Sequence, residues 1–344
     1  MRYSRVCLHG FGYELPPRIV TSARIEERLA DVYERLRLPP GRLELMSGIQ
    51  SRRFWEQGTR PSQGAVAAGR KALEGSGIDP ESIGCLIFTS VSRDMMEPAT
   101  ASFVHQGLGL PNRCQLFDLS NACLGFLNGM ILLANMIELG QVGYGLVVAS
   151  ETAEDLVEST ISRLCDDHGL TRRGIKPAFA SLTIGSGAVA LVMGDRKLTD
   201  TGHWLIGGAC RAATDHNDLC QGGQAGGNQI LMATDSEQLL QRGVETAVQC
   251  WQDFLAELTW TRECIDRFFC HQVGRAHARL LFERLGLDQG RNFETLAELG
   301  NVGSVSAPIT MALGLEAGKL RKGERAALLG IGSGINAMML GIEW

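Results

Sequence analysis

The 344-residue sequence predicts an α/β fold built from two duplicated halves. Two observations lead to this prediction. Apolar runs bounded by Gly, Pro or Asp alternate with stretches of helical periodicity, which is typical of α/β architecture with parallel or mixed sheets. In addition, three patterns of the first half recur in the same order in the second half. No low-complexity tract or obvious linker divides the chain.

The alternating pattern assigns the main elements in chain order. Short apolar runs predict buried strands, and longer runs with apolar residues every three to four positions predict helices. The predicted strands cover residues 85–92, 144–151, 267–272 and 326–334. The predicted helices cover residues 61–75, 123–140, 235–258 and 274–287.

The repeat relates residues 182–194, "LTIGSGAVALVMG", to residues 329–341, "LGIGSGINAMMLG", each predicting a strand, a Gly-Ser-Gly turn and another strand. Residues 122–134 likewise match residues 300–314, and residues 86–94 match 267–275. Three matches in one order favour duplication over chance similarity of Gly-rich turns. We therefore expect an N-terminal half at 1–199 and a C-terminal half at 200–344. Extra residues at about 154–179 predict a loop or helical cap over the first half.

Composition and charge argue against several classes of protein. Charged residues make up 21% and hydrophobic residues 44%, and the net charge of −5 gives no reason to expect a nucleic-acid partner. No apolar run is long enough to span a membrane, and the N-terminus lacks a signal-peptide pattern. The ten cysteines occur singly, which indicates reduced thiols in a cytoplasm rather than disulfides or a zinc site. The "CDDH" segment (165–168) is more typical of a solvated loop than of a metal site.

Cys123 lies where small residues give way to a helical pattern, in "FDLSNACLGFLNGM". A helix start offers unpaired N–H groups and the positive end of the helix dipole. Such a position can lower a thiol pKa from about 8.5 to between about 3.5 and 7.5, which favours a reactive thiolate. The alternative is an inert buried cysteine, which this stretch alone supports better because cysteine is often buried.

The duplication places three polar residues at related points. Cys123 opens the helix of the first half, His271 ends a strand of the second, and Asn301 precedes the helix related to that of Cys123. If the halves pack about a pseudo-dyad, these residues converge on one cavity suited to acyl transfer from a thioester. The imidazole and amide would hydrogen-bond the oxygen that becomes negative. Taken singly, a core role for His271 and a turn role for Asn301 are equally good interpretations.

The motifs "NACLGF", "HQVGRAH", "GNVGSVSAP" and "GIGSGIN", with "SGIQSRRFW" (47–55), resemble those of the thiolase-fold condensing enzymes, specifically the ketoacyl synthase III branch. The resemblance covers essentially the whole chain. It implies a homodimer with a five-layered αβαβα fold and a catalytic triad of Cys123, His271 and Asn301. It also implies an oxyanion hole made by the backbone N–H groups of Cys123 and Ser333. Substrates would be thioesters of coenzyme A or acyl carrier protein, with no permanently bound cofactor.

Two departures from that branch look closer to the OleA group, which joins two fatty acyl-CoA molecules head to head. The usual pattern has Asn three residues after the catalytic His, where this chain has Gly274. Glu97 lies in segment 92–102, which the resemblance places near the dimer interface. In that group the matching glutamate enters the partner's active site and can act as a base, a role that requires burial. The alternative is that Glu97, beside Pro98, stabilises the start of the next helix.

Four functions follow from these observations. The leading one is a non-decarboxylating Claisen condensation of two acyl-CoA molecules, through an acyl-Cys123 intermediate, to a β-keto thioester or acid. The second is an ordinary synthase III that decarboxylates malonyl-acyl carrier protein and needs no base. A papain-like hydrolase also uses Cys, His and Asn, but its local cysteine pattern is missing here. A non-catalytic thiolase-fold module is disfavoured because all three polar positions are intact.

Overall fold

The computed structural model describes residues 1–225 and 229–344. Within these residues it contains fourteen strands and twelve α-helices. The strands are β1 (Val6–Glu14), β2 (Arg18–Thr21), β3 (Ser51–Phe54), β4 (Ile83–Phe88), β5 (Gln115–Asp118), β6 (Tyr144–Glu151), β7 (Gly187–Asp195), β8 (Trp204–Ala212), β9 (Cys220–Ala225), β10 (Gln229–Thr234), β11 (Arg267–Cys270), β12 (Asn292–Phe293), β13 (Arg325–Gly332) and β14 (Asn336–Glu343). The helices are α1 (Ser22–Arg28), α2 (Ala30–Arg35), α3 (Arg42–Ser47), α4 (Pro61–Ser76), α5 (Thr100–Leu108), α6 (Gly125–Glu138), α7 (Glu154–Asp166), α8 (Lys176–Phe179), α9 (Ser236–Leu258), α10 (Arg275–Leu285), α11 (Leu296–Leu299) and α12 (Ser306–Glu316).

Ten strands form one mixed sheet with a symmetric order. That order is β12-β11-β13-β14-β8-β1-β7-β6-β4-β5, and β1 and β8 meet through the pair Cys7 and Trp204. Outward from this junction, each half has two antiparallel pairings followed by two parallel pairings. The predicted duplication is therefore confirmed in the topology, while the boundary between residues 199 and 200 stays a prediction.

The helices and the two halves of the sheet form five layers. Helices α6 and α12 share one apolar core with strands of both halves. Helices α4 and α5 cover the outer face of the first half, and α9 and α10 cover the outer face of the second. Side chains of a strand alternate between faces, so Cys85 and Ile87 enter the central core while Leu86 and Phe88 enter the outer one. The predicted αβαβα layering is confirmed.

Two of the predicted strands differ from the structure. The strand predicted at 85–92 is β4, which ends at Phe88, because Val91 and Ser92 turn their N–H groups toward Glu151 instead of a neighbouring strand. The strand predicted before the first Gly-Ser-Gly turn is wrong. Residues 181–183 form a 3₁₀ turn, and only Ile184 makes a bridge, to Asn301. The counterpart of β13 in the first half is β6, which the insertion separates from β7.

The insertion at 154–179 forms a helical cap, one of its two predicted forms. It contains α7 and α8, which share a separate apolar core with the N-terminal helices α1, α2 and α3. The "CDDH" segment was predicted to be a loop, yet Cys165 and Asp166 belong to the last turn of α7. All ten cysteines lie in the described residues and are unpaired. Among the helices of the described residues, none combines the length and apolar character needed to cross a bilayer.

Candidate active site

A large cavity of about 1560 Å³ lies at the carboxyl ends of strands β6, β11 and β13. Carboxyl ends of parallel strands are where ligands bind in α/β sheets, because polar loop residues converge there. Residues from both halves line the cavity. The predicted site residues among them are Cys123, His271, Asn301 and Ser333. The structure thus brings together four of the five residues singled out in the sequence.

Cys123 sits on a sharp turn between β5 and α6. Ala122 precedes it with a φ of 46°, which is uncommon for a residue with a Cβ and marks local backbone strain. Helix α6 begins two residues after the thiol, at Gly125. A Cβ at Gly125 would lie 2.1 Å from the carbonyl oxygen of Thr89, so the helix start packs directly on the end of β4. Glycine is required there, and this close packing fixes Cys123 at the cavity wall.

The thiol of Cys123 does not have the low pKa expected at a helix start. The pKa of Cys123 is raised to about 12, mainly by burial and to a smaller extent by the nearby charges of Cys220 and Glu151. The backbone N–H of Cys123 itself acts in the opposite direction but more weakly. Desolvation therefore outweighs the dipole. Near neutral pH Cys123 is a thiol, which needs a proton acceptor before it can act as a nucleophile.

His271 follows β11 directly and lines the same cavity as Cys123. Its backbone N–H donates to Leu329 O at 2.8 Å, which fixes the residue at the end of the strand. The pKa of His271 is lowered to about 4, mainly by burial and to a smaller extent by the charge of His277. The imidazole is therefore neutral at pH 7. Both of its ring nitrogens are buried and have no hydrogen-bond partner among the described residues. A neutral imidazole offers one acceptor and one donor nitrogen.

Asn301 is held by its backbone. Its N–H donates to Thr183 O at 3.0 Å, and its carbonyl accepts from Gly185 N at 2.8 Å. The side-chain Oδ1 accepts from Gly303 N at 3.0 Å, so the Nδ2 donor is the group left for a substrate oxygen. Gly300 precedes it with a φ of 69°, and a Cβ there would lie 2.7 Å from Thr183 O. The loop of residues 300–305, here called the Asn301 loop, is therefore closely packed on the first half.

Ser333 lies in the turn between β13 and β14, next to the cysteine turn. A Cβ at the preceding Gly332 would lie 3.0 Å from Leu124 Cγ and 3.6 Å from Leu124 N. The hydroxyl of Ser333 donates to the sulfur of Cys220 at 3.3 Å. The backbone N–H groups of Cys123 and Ser333 thus belong to two adjoining turns, as an oxyanion hole requires. Their role as that hole stays a prediction.

Glu97 is the one predicted residue that does not line the cavity of its own chain. It is exposed in the loop of residues 89–99, here called the Glu97 loop, although Met95 and Met96 of that loop line the cavity. The burial that a carboxylate base requires is therefore absent in the single chain. The base role stays a prediction, whereas in the structure another residue takes the alternative role at the next helix start. Asp118 occupies the start of α5 by accepting from the N–H groups of Thr100 and Ala101, both at 2.8 Å.

Sequence reasoning did not single out several polar residues that line the cavity, among them Glu151, Cys220 and His277. The position of Glu151 gave a usable signal, because it is the last residue of a predicted strand that runs parallel to its neighbour β4. Gly274, which replaces the usual asparagine, also lines the cavity in an extended conformation and adds no polar group.

A duplicated five-layered fold, with a cysteine turn facing a cavity at the carboxyl ends of its strands, defines the thiolase-like condensing enzymes. Comparisons with known proteins agree. The family profile described as 3-oxoacyl-[acyl-carrier-protein] synthase III matches residues 117–210, and the profile of its C-terminal region matches residues 255–344. The chain belongs to the 3-oxoacyl-[acyl-carrier-protein] synthase III family and is a condensing acyltransferase, which excludes the papain-like and non-catalytic interpretations.

Within this family the chain is most informatively compared with three relatives. It is 42% identical to the acyl-CoA:acyl-CoA alkyltransferase of Shewanella oneidensis and 40% identical to that of Xanthomonas campestris, with complete coverage of each pair. It is 27% identical to the β-ketoacyl-[acyl-carrier-protein] synthase III of Natranaerobius thermophilus over 87% of this chain and 89% of that protein. The crystal structure of cerulenin-bound Xanthomonas campestris OleA is 39% identical and superposes with a TM-score of 0.95, covering 100% of this chain and 98% of that one.

Proposed function

We propose that this protein condenses two fatty acyl-CoA molecules head to head, without decarboxylation, to a β-keto thioester that is released as such or as the β-keto acid after hydrolysis. The observation that carries the proposal is the cavity shared by Cys123, His271 and Asn301. The full-length similarity to two acyl-CoA:acyl-CoA alkyltransferases supports acyl-CoA as the substrate of both steps. No permanently bound cofactor takes part in this chemistry, and we propose a cytoplasmic location.

The first step transfers one acyl group to the enzyme. Neutral His271 takes the proton of the Cys123 thiol in the same step in which the sulfur attacks the carbonyl carbon of the first acyl-CoA. The N–H groups of Cys123 and Ser333 stabilise the negative oxygen of the tetrahedral intermediate. The bond to the CoA sulfur breaks, and the leaving thiolate takes the proton from His271. Acyl-Cys123 and free CoA result.

The second step forms the carbon–carbon bond. A base removes an α-proton from the second acyl-CoA, and His271 and Asn301 donate hydrogen bonds to the enolate oxygen. The α-carbon attacks the carbonyl of acyl-Cys123, and the carbon–sulfur bond to Cys123 breaks. The Cys123 thiolate is then reprotonated by the conjugate acid of the base. The product is a β-keto acyl-CoA.

We assign the base to Glu97 of the partner subunit. In its own chain Glu97 is exposed beside Met96, which is 87% exposed, so a partner must cover this loop if the carboxylate is to be buried. Crystal structures of the Xanthomonas protein include variants of a glutamate and of a cysteine. The glutamate precedes the cysteine there by 26 residues, as Glu97 precedes Cys123 here. The spacing supports the correspondence.

A homodimer is part of this proposal. Four large apolar side chains are exposed on β5 or on the loop after its neighbour β4: Val91, Met95, Met96 and Phe117. Exposed apolar side chains grouped on neighbouring segments are typical of an interface between subunits. A second copy of the chain that covers this surface would bury the Glu97 loop and bring it to the mouth of the other cavity.

Replacing Glu97 separates the proposed reaction from its alternative. In Glu97→Ala, acylation of Cys123 by acyl-CoA should be retained, while carbon–carbon bond formation from acyl-CoA alone should fall about a hundred- to ten-thousand-fold, as for loss of a general base. Acylation is read by intact-protein mass spectrometry and condensation by product analysis. Glu97→Asp is the matched control and should keep part of the activity.

The same experiment identifies the other outcomes. If wild-type protein forms product only with a malonyl thioester and Glu97→Ala changes that rate little, the enzyme is a decarboxylating synthase, as the Natranaerobius relative's name would suggest. If acylation, condensation and thermal stability fall together, Glu97 has a structural role.

A further inference from the structure

Glu151 is a buried carboxylate that the proposed reaction does not use. It is the last residue of β6, is 5% exposed and lines the cavity. Within the described residues, no Lys or Arg forms an ion pair with it. A buried charge without a counter-ion persists only where hydrogen bonds replace its hydration. The hydrogen-bond donors to this carboxylate therefore indicate its function.

Those partners come from two loops. Oε1 accepts from Val91 N at 3.1 Å and from Ser304 Oγ at 2.7 Å. Oε2 accepts from Ser92 N at 3.1 Å and from Ser92 Oγ at 2.8 Å. Three of the four bonds fix the beginning of the Glu97 loop, and the fourth fixes the Asn301 loop. The carboxylate thus ties the segment that carries Glu97 to the segment that carries Asn301.

This hydrogen bonding excludes a direct role for Glu151 in proton transfer. A carboxylate has about four acceptor positions, and four donors occupy them here. Its charge also raises the pKa of Cys123, which opposes formation of the nucleophile. The negative charge of Glu151 thus disfavours ionisation of the Cys123 thiol. We therefore look for the function of Glu151 in the two loops that it binds.

The Glu97 loop is anchored only in its first part. After Ser92, the side chain of Asp94 accepts from Ser62 N at 2.8 Å and from Ser62 Oγ at 2.6 Å, and its backbone N–H donates to Thr100 Oγ1 at 3.2 Å. Met95, Met96 and Glu97 are then exposed in the single chain. The position of Glu97 in a partner's cavity therefore depends on the anchors at residues 91–94.

We propose that Glu151 is a positioning residue for the catalytic base: it holds the Glu97 loop of its own chain so that Glu97 reaches the active site of the partner subunit. This inference rests on the proposed action of Glu97 across the dimer interface. It predicts that loss of Glu151 harms the cavity of the neighbouring subunit rather than the cavity that it lines.

The test uses Glu151→Gln, in which an NH₂ group replaces one carboxylate oxygen and faces the N–H and O–H donors that this oxygen accepts from. Condensation should fall about a hundredfold, the cost of misplacing a catalytic group by about an ångström. Acylation of Cys123 should be retained. Its alkylation by iodoacetamide should also begin at lower pH, because removing a negative charge lowers the thiol pKa. Glu138→Gln is the matched control: Glu138 accepts from Ser4 N, Ser4 Oγ and Arg5 N at the opposite end of α6, and its replacement should leave condensation unchanged.

Heterodimers show whether Glu151 affects the cavity of its own subunit or that of the partner subunit. One subunit carries Cys123→Ser and the other Glu151→Gln, each with its own purification tag. The intact Cys123 then faces a Glu97 loop held by an intact Glu151, so about half of the wild-type condensation per dimer should return. Condensation that remains as low as in the Glu151→Gln homodimer would overturn the inference, because Glu151 would then act inside its own cavity.

A second heterodimer, of Cys123→Ser with Glu97→Ala, separates this inference from the proposed function. If it recovers condensation while the Glu151 pair does not, only the role of Glu151 is wrong. If neither recovers, Glu97 does not act across the interface and both proposals fail. Should Glu151→Gln fail to fold, Ser92→Ala, which removes one donor of the Glu97 loop, replaces it in the same heterodimer and is judged by the same outcomes.

Discussion

At Cys123 two physical effects act on one thiol in opposite directions. A helix N-terminus contributes about 0.3–1 kcal/mol in favour of a negative charge, which is less than one pKa unit. Burial in the cavity acts against the charge, and the pKa rises from 9.0 to about 12. The position at the helix start therefore fixes where the sulfur lies and does not by itself generate a thiolate. In the mechanism that we propose, His271 accepts the proton of the thiol.

The raised pKa predicts the pH dependence of alkylation. At pH values below the Cys123 pKa of about 12, the thiolate fraction should increase about tenfold for each unit by which the pH is raised. The rate of modification by iodoacetamide, followed by peptide mass spectrometry, should therefore increase from pH 7 to pH 10 without a plateau. A plateau below pH 8 would show a thiolate already formed, as in a Cys–His ion pair, and would contradict this account. The same measurement on Cys123→Ser gives the alkylation of the other nine cysteines, which is subtracted.

The residues that meet in the cavity could be predicted at this scale, whereas their electrostatics could not. The duplicated pattern and the motifs of one sequence single out Cys123, His271 and Asn301, which line one cavity. The pKa of Cys123 depends on how the cavity closes around it. The role that we propose for Glu151 depends on its hydrogen bonds to Val91 and Ser304. These residues are distant from Glu151 in the sequence and adjacent to it only in the folded chain.

At the scale of elements, the site depends on how closely α6 approaches β4. Gly125 begins the helix, and its Cα faces the carbonyl of Thr89. The strained Ala122 lies three residues earlier, so the turn has little room to relax. The geometry of Cys123 is thus determined by backbone packing, and side-chain contacts are secondary.

A pair of Gly→Ala substitutions tests this packing. Gly125→Ala should destabilise the protein by about 1–3 kcal/mol, the usual cost of overpacking, and reduce acylation of Cys123. Gly75→Ala, in an exposed part of α4 with nothing within 4 Å of the added Cβ, should instead stabilise by about 0.5–1 kcal/mol. Thermal denaturation and acylation are measured on both variants. Equal stability and acylation in the two would show that the approach of α6 to β4 does not fix the nucleophile.

The elements that the sequence predicted well have a clear apolar pattern, continuous in β6 and on one face of α9. The strand predicted at 144–151 coincides with β6, and the helix predicted at 235–258 differs from α9 by one residue. The strand predicted at 85–92 extended too far, because "TSVS" continues the pattern of a strand although its N–H groups bind Glu151. That change of partner depends on a residue about sixty positions away, and no local pattern records it.

At the scale of the whole molecule, duplication creates the site. The first half contributes Cys123 and the second contributes His271 and Asn301, and the symmetric strand order brings their carboxyl ends to one cavity. The duplication was visible in the sequence because both halves retain their Gly-rich turns. The mechanism that we propose uses a third contribution, from the second subunit.

The dimer prediction can be tested with an exposed methionine. Met96→Arg places a charge on the apolar surface beside Glu97 and should shift the protein from dimer toward monomer in sedimentation. Condensation should fall with the dimer, while acylation of Cys123 should persist. Leu139→Arg is the control, because Leu139 is 73% exposed but lies at the end of α6 rather than on this surface. A wild-type monomer that condenses acyl-CoA would contradict the role of the second subunit.

The most direct test of the central claim is to give the enzyme a single long-chain acyl-CoA and no malonyl thioester. We predict that mass spectrometry detects the acyl group on Cys123, and that borohydride trapping recovers a β-hydroxy product with carbon from two acyl groups. Cys123→Ser should give neither species. Acyl-Cys123 that accumulates without any condensed product, followed by product formation only after a malonyl thioester is added, would contradict head-to-head condensation.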